Sequence, residues 1–276
     1  MALQDGEKRS FVQRLFTSIA PRYDRFNRLA SCGLDQRWRS EAIRLGDVRP
    51  GQRVLDVCAG TGDLAILCAR RQEGQGIVVG MDLNAQMLSW ARRKQRQQRP
   101  FDAAHGLRPW ALAQGRPERG EAESKDDEVG ATGSARGDPH LDVAWLLGDA
   151  EALPFAEATF DRVTIGFSTR NLSDLTGGLR EMVRVLRPNG RLIILETGRP
   201  SHPLMWMGYQ LFLWTFVRAM GLMVTGQLWP FTYFARSVRA FLTPQQLTER
   251  LQRLATQVQY VPLSHGLASL FLATKS

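Results

Sequence analysis

Three cysteines, Cys32, Cys58 and Cys68, are all that 276 residues contain, and none has the spacing of a metal-ligand pair. That excludes a disulfide framework, suggests no metal site, and fits a reducing compartment. Lysine is scarce as well: Lys8, Lys94, Lys125 and Lys275 are the whole set, so the net charge of +9 is carried by arginine. Such a balance has three readings, namely nucleic acid, an anionic membrane surface or an arginine-biased genome. The basic residues are scattered rather than interleaved with aromatics on one face, which counts against nucleic acid. Histidine offers little, since His105, His140, His202 and His265 all fall in expected loops or links. No apolar run reaches the ~20 residues a membrane span needs. Residues 204–235 come nearest, but Arg218 divides them and Gly, Gln and Pro interrupt the second part. The first ten residues are polar and charged, so no secretory signal is expected, and with so few cysteines a reducing cytoplasm is the expected location.

What the chain does have is an ordinary globular composition, 43% hydrophobic and 23% charged, sufficient for one domain. Its most informative stretch is Val54-Leu55-Asp56-Val57-Cys58-Ala59-Gly60-Thr61-Gly62-Asp63. An apolar strand runs into a glycine turn, and about 20 positions on, Asp82 closes a second apolar run. Gly60 and Gly62 allow a sharp turn and close approach of backbone to a ligand. Asp82 is placed to accept from ribose hydroxyls. Gly60-x-Gly62-x-x-Ala65 also satisfies a dinucleotide fingerprint, so a nicotinamide cofactor stays open at this point.

Residues 11–20 and 36–45 have helical spacing, with Pro21 and Gly33 as breaks. Strands at 53–57, 77–82, 143–147, 160–166 and 191–196 alternate with helices at 63–71, 84–97 and 175–186, which predicts a parallel sheet with right-handed crossovers. Residues 98–140 break the pattern and read as a flexible surface insertion. After a helix opened by Thr243-Pro244, strands at about 257–263 and 267–274 are joined by Ser264-His265-Gly266. That link is too short for a parallel crossover, so the pair is expected as an antiparallel hairpin. A seven-stranded, mostly parallel sheet ending in such a hairpin, with helices on both faces, resembles the Rossmann-like class I methyltransferase fold.

Further marks narrow the resemblance. They are Phe16-x-x-Ile19-Ala20-x-x-Tyr23-Asp24-x-x-Asn27 with Trp38, the glycine loop, and Gly148-Asp149-Ala150-Glu151-Ala152-Leu153-Pro154-Phe155. Phe167-Ser168-Thr169-Arg170-Asn171, Arg184-Val185-Leu186-Arg187-Pro188-Asn189-Gly190 and Tyr233-x-x-x-x-Ser237 complete them. Together they resemble the quinone C-methyltransferases of ubiquinone and menaquinone biosynthesis. The resemblance implies S-adenosylmethionine as cofactor and a prenylated quinol, demethylmenaquinol above the ubiquinone precursor, as substrate. It implies cofactor contacts from Asp56, Gly60, Thr61, Gly62, Asp82, the Asp149-Ala150 pair and the backbone of Gly166. It also implies a catalytic set of Arg170, Asn171 and Tyr23, in which the arginine and asparagine hold a water that acts as base.

Arginine itself is a poor base, and the competing reading is that Arg170 and Asn171 cap a helix starting near Ser173 while Tyr23 packs under the first helix. Asp24 and Asn27 bind substrate or cap local turns. Two departures from the family pattern are Cys58 for a glycine and Asn189 for another, the latter tolerating left-handed backbone. Residues 8–47 are expected as a helical substrate cap. Residues 201–236 are expected either as a core helix pair over the sheet or as an apolar lid admitting a polyprenyl tail at the membrane interface. A non-catalytic binding module with this fold and a nicotinamide-dependent oxidoreductase are the other functional classes left standing, and whether the chain forms a homodimer is open.

Overall fold

The computed structural model describes residues 5–98 and 142–276. The expected insertion, with His105 and His140, lies outside the described residues but for Gln98. Three helices open the chain: α1 Asp5–Ile19, α2 Tyr23–Ala30 and α3 Leu34–Leu45. The alternating part follows as β1 Arg53–Val57, α4 Asp63–Gln72, β2 Ile77–Asp82, α5 Ala85–Gln98, β3 Val143–Leu147, β4 Phe160–Gly166, α6 Leu175–Arg184 and β5 Leu186–Thr197. Then come α7 Pro203–Phe212, a π-helical stretch Leu213–Val217, α8 Arg218–Thr225, α9 Trp229–Ala240, α10 Pro244–Gln252, β6 Gln257–Leu263 and β7 Ala268–Thr274.

The strands form one seven-stranded sheet in the order β3-β2-β1-β4-β5-β7-β6. The first five are parallel, while β7 runs antiparallel between β5 and β6. Central parallel strands must be apolar on both faces, and β5 shows why: Leu192 and Ile194 enter one core with α6 and α10, Ile193 and Leu195 the other with α3 and α4. The α4 and α10 starts also follow their sequences, α10 through a full capping box between Thr243 and Gln246.

Four expectations are corrected. Between Pro21 and Gly33 the chain forms α2, because Phe26 has a core to reach and Gly33, at φ +78°, supplies the left-handed turn into α3. Residues 187–190 do not precede β5 but form a bulge inside it: Phe160 pairs with Leu186 and Arg162 with Arg191. Asn189 does carry the left-handed backbone, at φ +62°. Residues 204–235 are not a helix pair over the sheet; α7, α8 and α9 pack instead on α1 and α2 around Leu15, Ile19, Phe26, Leu213, Val217 and Phe231. The fourth correction concerns α6. It begins at Leu175 and is capped by Asp174, whose carboxylate accepts from Gly177 N, so Arg170 and Asn171 have no capping role there. No helix among the described residues is long and apolar enough to cross a membrane.

Candidate active site

Ligands in open α/β sheets collect at the carboxyl ends of the strands, where the order reverses, and here that point lies between β1 and β4. The chain leaves β1 through Cys58 at φ +54°, Gly60 at +56° and Gly62 at +86°. Asp82, at the end of β2, accepts from Gly60 N at 2.8 Å and from Asn84 N at 2.8 Å, tying both loops to one carboxylate. A Cβ on Gly60 would meet no protein atom within 4 Å; it would stand in the cavity that the loop borders. Burial raises the Asp82 carboxyl, and its backbone donors oppose the rise.

Asp56 borders the same cavity, yet its oxygens are taken by Thr164 Oγ1 at 2.6 Å and Ala65 N at 3.1 Å. It therefore fixes the loop between β1 and α4. Desolvation outweighs those two donors and pushes its carboxyl up to about 7. A folded-state value above the unfolded one means protonation favours the native protein, so this group's contribution declines as pH rises from about 4 to about 7. The melting temperature of Asp56→Asn, relative to the native sequence, should accordingly be higher at pH 8 than at pH 5; thermal denaturation at both values reads it.

Asp149 and Ala150 border the cavity from the loop after β3, and Gly166 from the end of β4, where a Cβ would lie 2.6 Å from Leu64 Cδ1. Helix α1 roofs it with Val12, Gln13 and Phe16. Arg9 pairs with Asp149 at 2.8 Å and Glu151 at 2.9 Å, and Asn84 Nδ2 donates to Gln13 O at 3.0 Å and Thr17 Oγ1 at 2.8 Å. Helix α2 is clasped to the glycine loop: Thr61 Oγ1 donates to Asp24 at 2.5 Å, and Lys94 bridges Asp24 at 2.5 Å and Asp63 at 2.7 Å. Asp24 is thus a loop clasp, and the Thr61 hydroxyl, expected to face a ligand, is engaged by it.

A second cavity, about 470 Å³, lies beyond the first and is walled by Leu15, Phe26, Tyr209, Phe212, Phe231 and Phe234. Phe16, Tyr23, Arg39 and Asn171 border both. Arg170 borders the outer one. Its Nη1 donates to Phe167 O at 2.7 Å and to the Glu196 carboxylate, and its guanidinium lies 5.0 Å from the Phe234 ring centre. The arginine side chain is 6% exposed and Glu196 1%, so this pair is buried. Glu196 also accepts from Thr169 Oγ1, Thr197 N and Thr197 Oγ1. Asn171 Oδ1 accepts from Tyr233 Oη at 3.2 Å, while its Nδ2 is buried with no partner among the described residues. The buried Tyr23 phenol is pushed up by desolvation; a hydrogen bond with Asn27 and the charges of Arg39 and Arg170 pull the other way.

A family model described as the ubiE/COQ5 methyltransferase family matches residues 3–105 and 126–275. The chain belongs to that family. Among curated relatives, the demethylmenaquinone methyltransferase of Deinococcus radiodurans is 34% identical over 98% of this chain and 94% of its own length. The 2-phytyl-1,4-naphtoquinone methyltransferase of Thermosynechococcus vestitus is also 34% identical, over 96% and 99%. A UbiE ubiquinone/menaquinone biosynthesis C-methyltransferase from Teredinibacter turnerae is 31% identical over 98% and 94%. Magnesium protoporphyrin IX methyltransferase of Synechocystis PCC 6803, solved with bound SAM, shares the fold with a TM-score of 0.55 at 13% identity, over 100% of this chain and 99% of that one.

This ubiE/COQ5 methyltransferase is an S-adenosylmethionine-dependent enzyme of quinone C-methylation, and the nicotinamide reading of its glycine loop finds no support. The inner cavity suits the cofactor on its own terms. The open face of Gly60 admits a ligand that a Cβ would displace, and carboxylates stand after β2 and β3.

Sequence reading missed two residues here. Glu196 carried a signal, a lone carboxylate ending the apolar run Leu192–Leu195 at the carboxyl edge of the sheet. Arg39 carried only its place four residues after Asp35, which pairs with it at 3.0 Å.

Proposed function

We propose that this chain methylates a ring carbon of a prenylated quinol, demethylmenaquinol, at the point where the two cavities meet. One observation carries the reading: a cavity bordered by the glycine loop and a larger, aromatic-walled cavity share Phe16, Tyr23, Arg39 and Asn171. The names of the relatives support a quinol, and the apolar walls support its tail.

Gly60, Thr61 and Gly62 would hold S-adenosylmethionine, with Asp82 for its ribose and Asp149 and Ala150 for its adenine, and once bound it would supply an electrophilic methyl for the ring carbon, the S–C electron pair staying on sulfur and the ring proton passing to water. The ring carbon becomes a strong nucleophile once a neighbouring phenolic hydroxyl is deprotonated. Arg170 serves as a fixed cation for a water or the developing phenolate, oriented by Glu196. Asn171 Nδ2 offers a donor to the same oxygen, and Tyr23 closes the site from α2.

The outward faces of α7 and α8 support delivery from a membrane at the cytoplasmic side. Leu204 is 67% exposed and Met223 74%, with Met207 and Leu211 also open, a density of exposed apolar groups that marks an interaction surface. With labelled S-adenosylmethionine and demethylmenaquinol in anionic vesicles, label should appear on a quinol ring carbon and the protein should sediment with the vesicles. Cofactor binding without transfer to any quinol would leave a non-catalytic module. Transfer confined to tail-less quinols, with no vesicle binding, would remove the lid.

A further inference from the structure

We propose that Arg39 is a second cationic group of the transfer site, its free guanidinium edge holding the ring oxygen of the quinol as that oxygen loses its proton. The inference rests on the quinol reading above and adds a residue to it. Arg39 is buried on α3 and is held from three sides, by Asp35, Asp63 and the Phe167 ring. Nη1 donates to Asp35 Oδ2 at 3.0 Å and Asp35 O at 3.2 Å, and Nε faces Asp63 Oδ2 at 3.7 Å. The guanidinium carbon lies 5.1 Å from the Phe167 ring centre. Among the described residues Nη2 has no hydrogen-bond partner, although the side chain borders both cavities.

A guanidinium fixed on three sides and open on the fourth is a preorganised donor: its orientation is already set when charge appears beside it. Arg39 lines both cavities together with Tyr23 and Asn171, and Arg170 lines the outer one. The phenolic oxygen would then lie between two guanidiniums. The Arg39 charge opposes the rise that burial imposes on the Tyr23 phenol, so its field reaches the boundary between the cavities.

The titratable groups around it are Asp35 on its own helix and Asp63 at the start of α4, which pair with it, and Asp56 on β1 and Tyr23 on α2, which feel its charge; beyond them Lys94 on α5 bridges Asp63 to Asp24, and Arg170, in the turn after β4, pairs with Glu196 of β5. Arg39 and Lys94 against Asp24, Asp35 and Asp63 leave one negative charge in excess. The long-range field therefore suits a sulfonium cation, and any help to an oxyanion is short-range, through direct hydrogen bonding in a water-poor cavity.

The test is the pH dependence of kcat with a quinol substrate in full-length protein. Because Asp35 is buried, Arg39→Met is made together with Asp35→Asn, so that no lone carboxylate remains. Losing a cation beside the phenol raises its pKa, so the acid limb of kcat should move up by about 1–2 pH units, with kcat at pH 7 falling on the order of 10²-fold. Arg39→Lys, which keeps the charge, should return the limb toward its original position. A lower kcat with an unmoved limb, an unchanged kcat, or failure of the lysine to restore the limb would each overturn the proposal. If the native sequence itself transfers no methyl to a quinol, the substrate reading fails instead.

Discussion

Arg170→Ala is expected to lower kcat by about 10²–10³-fold while the affinity for S-adenosylhomocysteine stays nearly unchanged, because Arg170 borders the outer cavity and not the inner one. The substitution also strands Glu196, a carboxylate 1% exposed, and an uncompensated buried charge costs about 3–5 kcal/mol. A drop in folded fraction would therefore accompany the drop in rate. The double replacement Arg170→Ala with Glu196→Gln separates the two: stability should largely return and turnover should not. Single-turnover kinetics on protein shown folded by circular dichroism, with calorimetry for the cofactor product, makes the measurement. Turnover that survives in the double variant removes Arg170 from the chemistry and leaves it a structural partner of Glu196. Glu196→Gln alone should also slow turnover, since the neutral amide no longer holds a charged guanidinium against the Phe167 carbonyl.

The second large effect belongs to the glycine loop. Gly62 has φ +86°, and a Cβ built on it would lie 2.4 Å from Trp145 Cη2 and 3.0 Å from Ala91 Cβ. Gly62→Ala thus meets two penalties at once. Left-handed backbone costs about 1–2 kcal/mol for a residue with a Cβ, and overpacking a filled interior costs about 1–3 kcal/mol more. Trp145 has little room to yield, because its indole N–H donates to Gln95 and its ring also covers Gly80. The expected result is a melting temperature lower by about 5–15 °C, with cofactor affinity reduced by at least tenfold as the loop shifts. Gly60→Ala makes the contrast. Its Cβ meets no protein atom within 4 Å, so it should cost less stability and still impair cofactor binding, since the methyl occupies ligand space. Equal affinity in all three proteins would show that the loop does not hold the cofactor.

The sheet was legible because its strands carry period and length in their own residues. Ile77–Asp82 and Leu192–Leu195 are apolar runs bounded by turns, and the link Ser264-His265-Gly266 admits a hairpin and nothing longer. What misled was the neighbourhood. Residues 204–235 are apolar enough to bury against anything, and nothing local says whether that is the sheet or α1 and α2. The four residues 187–190 fall between an expected helix and an expected strand, but backbone hydrogen bonds of Asn189 and Gly190 with Lys275 make them a bulge within a longer strand.

The site divides the same way. Glycines at 60 and 62, Asp82 and the Arg170-Asn171 pair could be named from the chain because each is a local device, a turn, a strand end, a motif. Arg39 could not, and Glu196 showed only as a lone carboxylate at a strand end, because their meaning lies in partners elsewhere along the chain: Asp63 and Phe167 for the one, Arg170 for the other. By itself the sequence determined the order of elements, the glycine loop and the family whose motifs it carries. Tertiary structure alone decided that two cavities meet at Tyr23, Arg39 and Asn171, since burial and charge pairing are properties of residues brought together, and chain order does not encode distance.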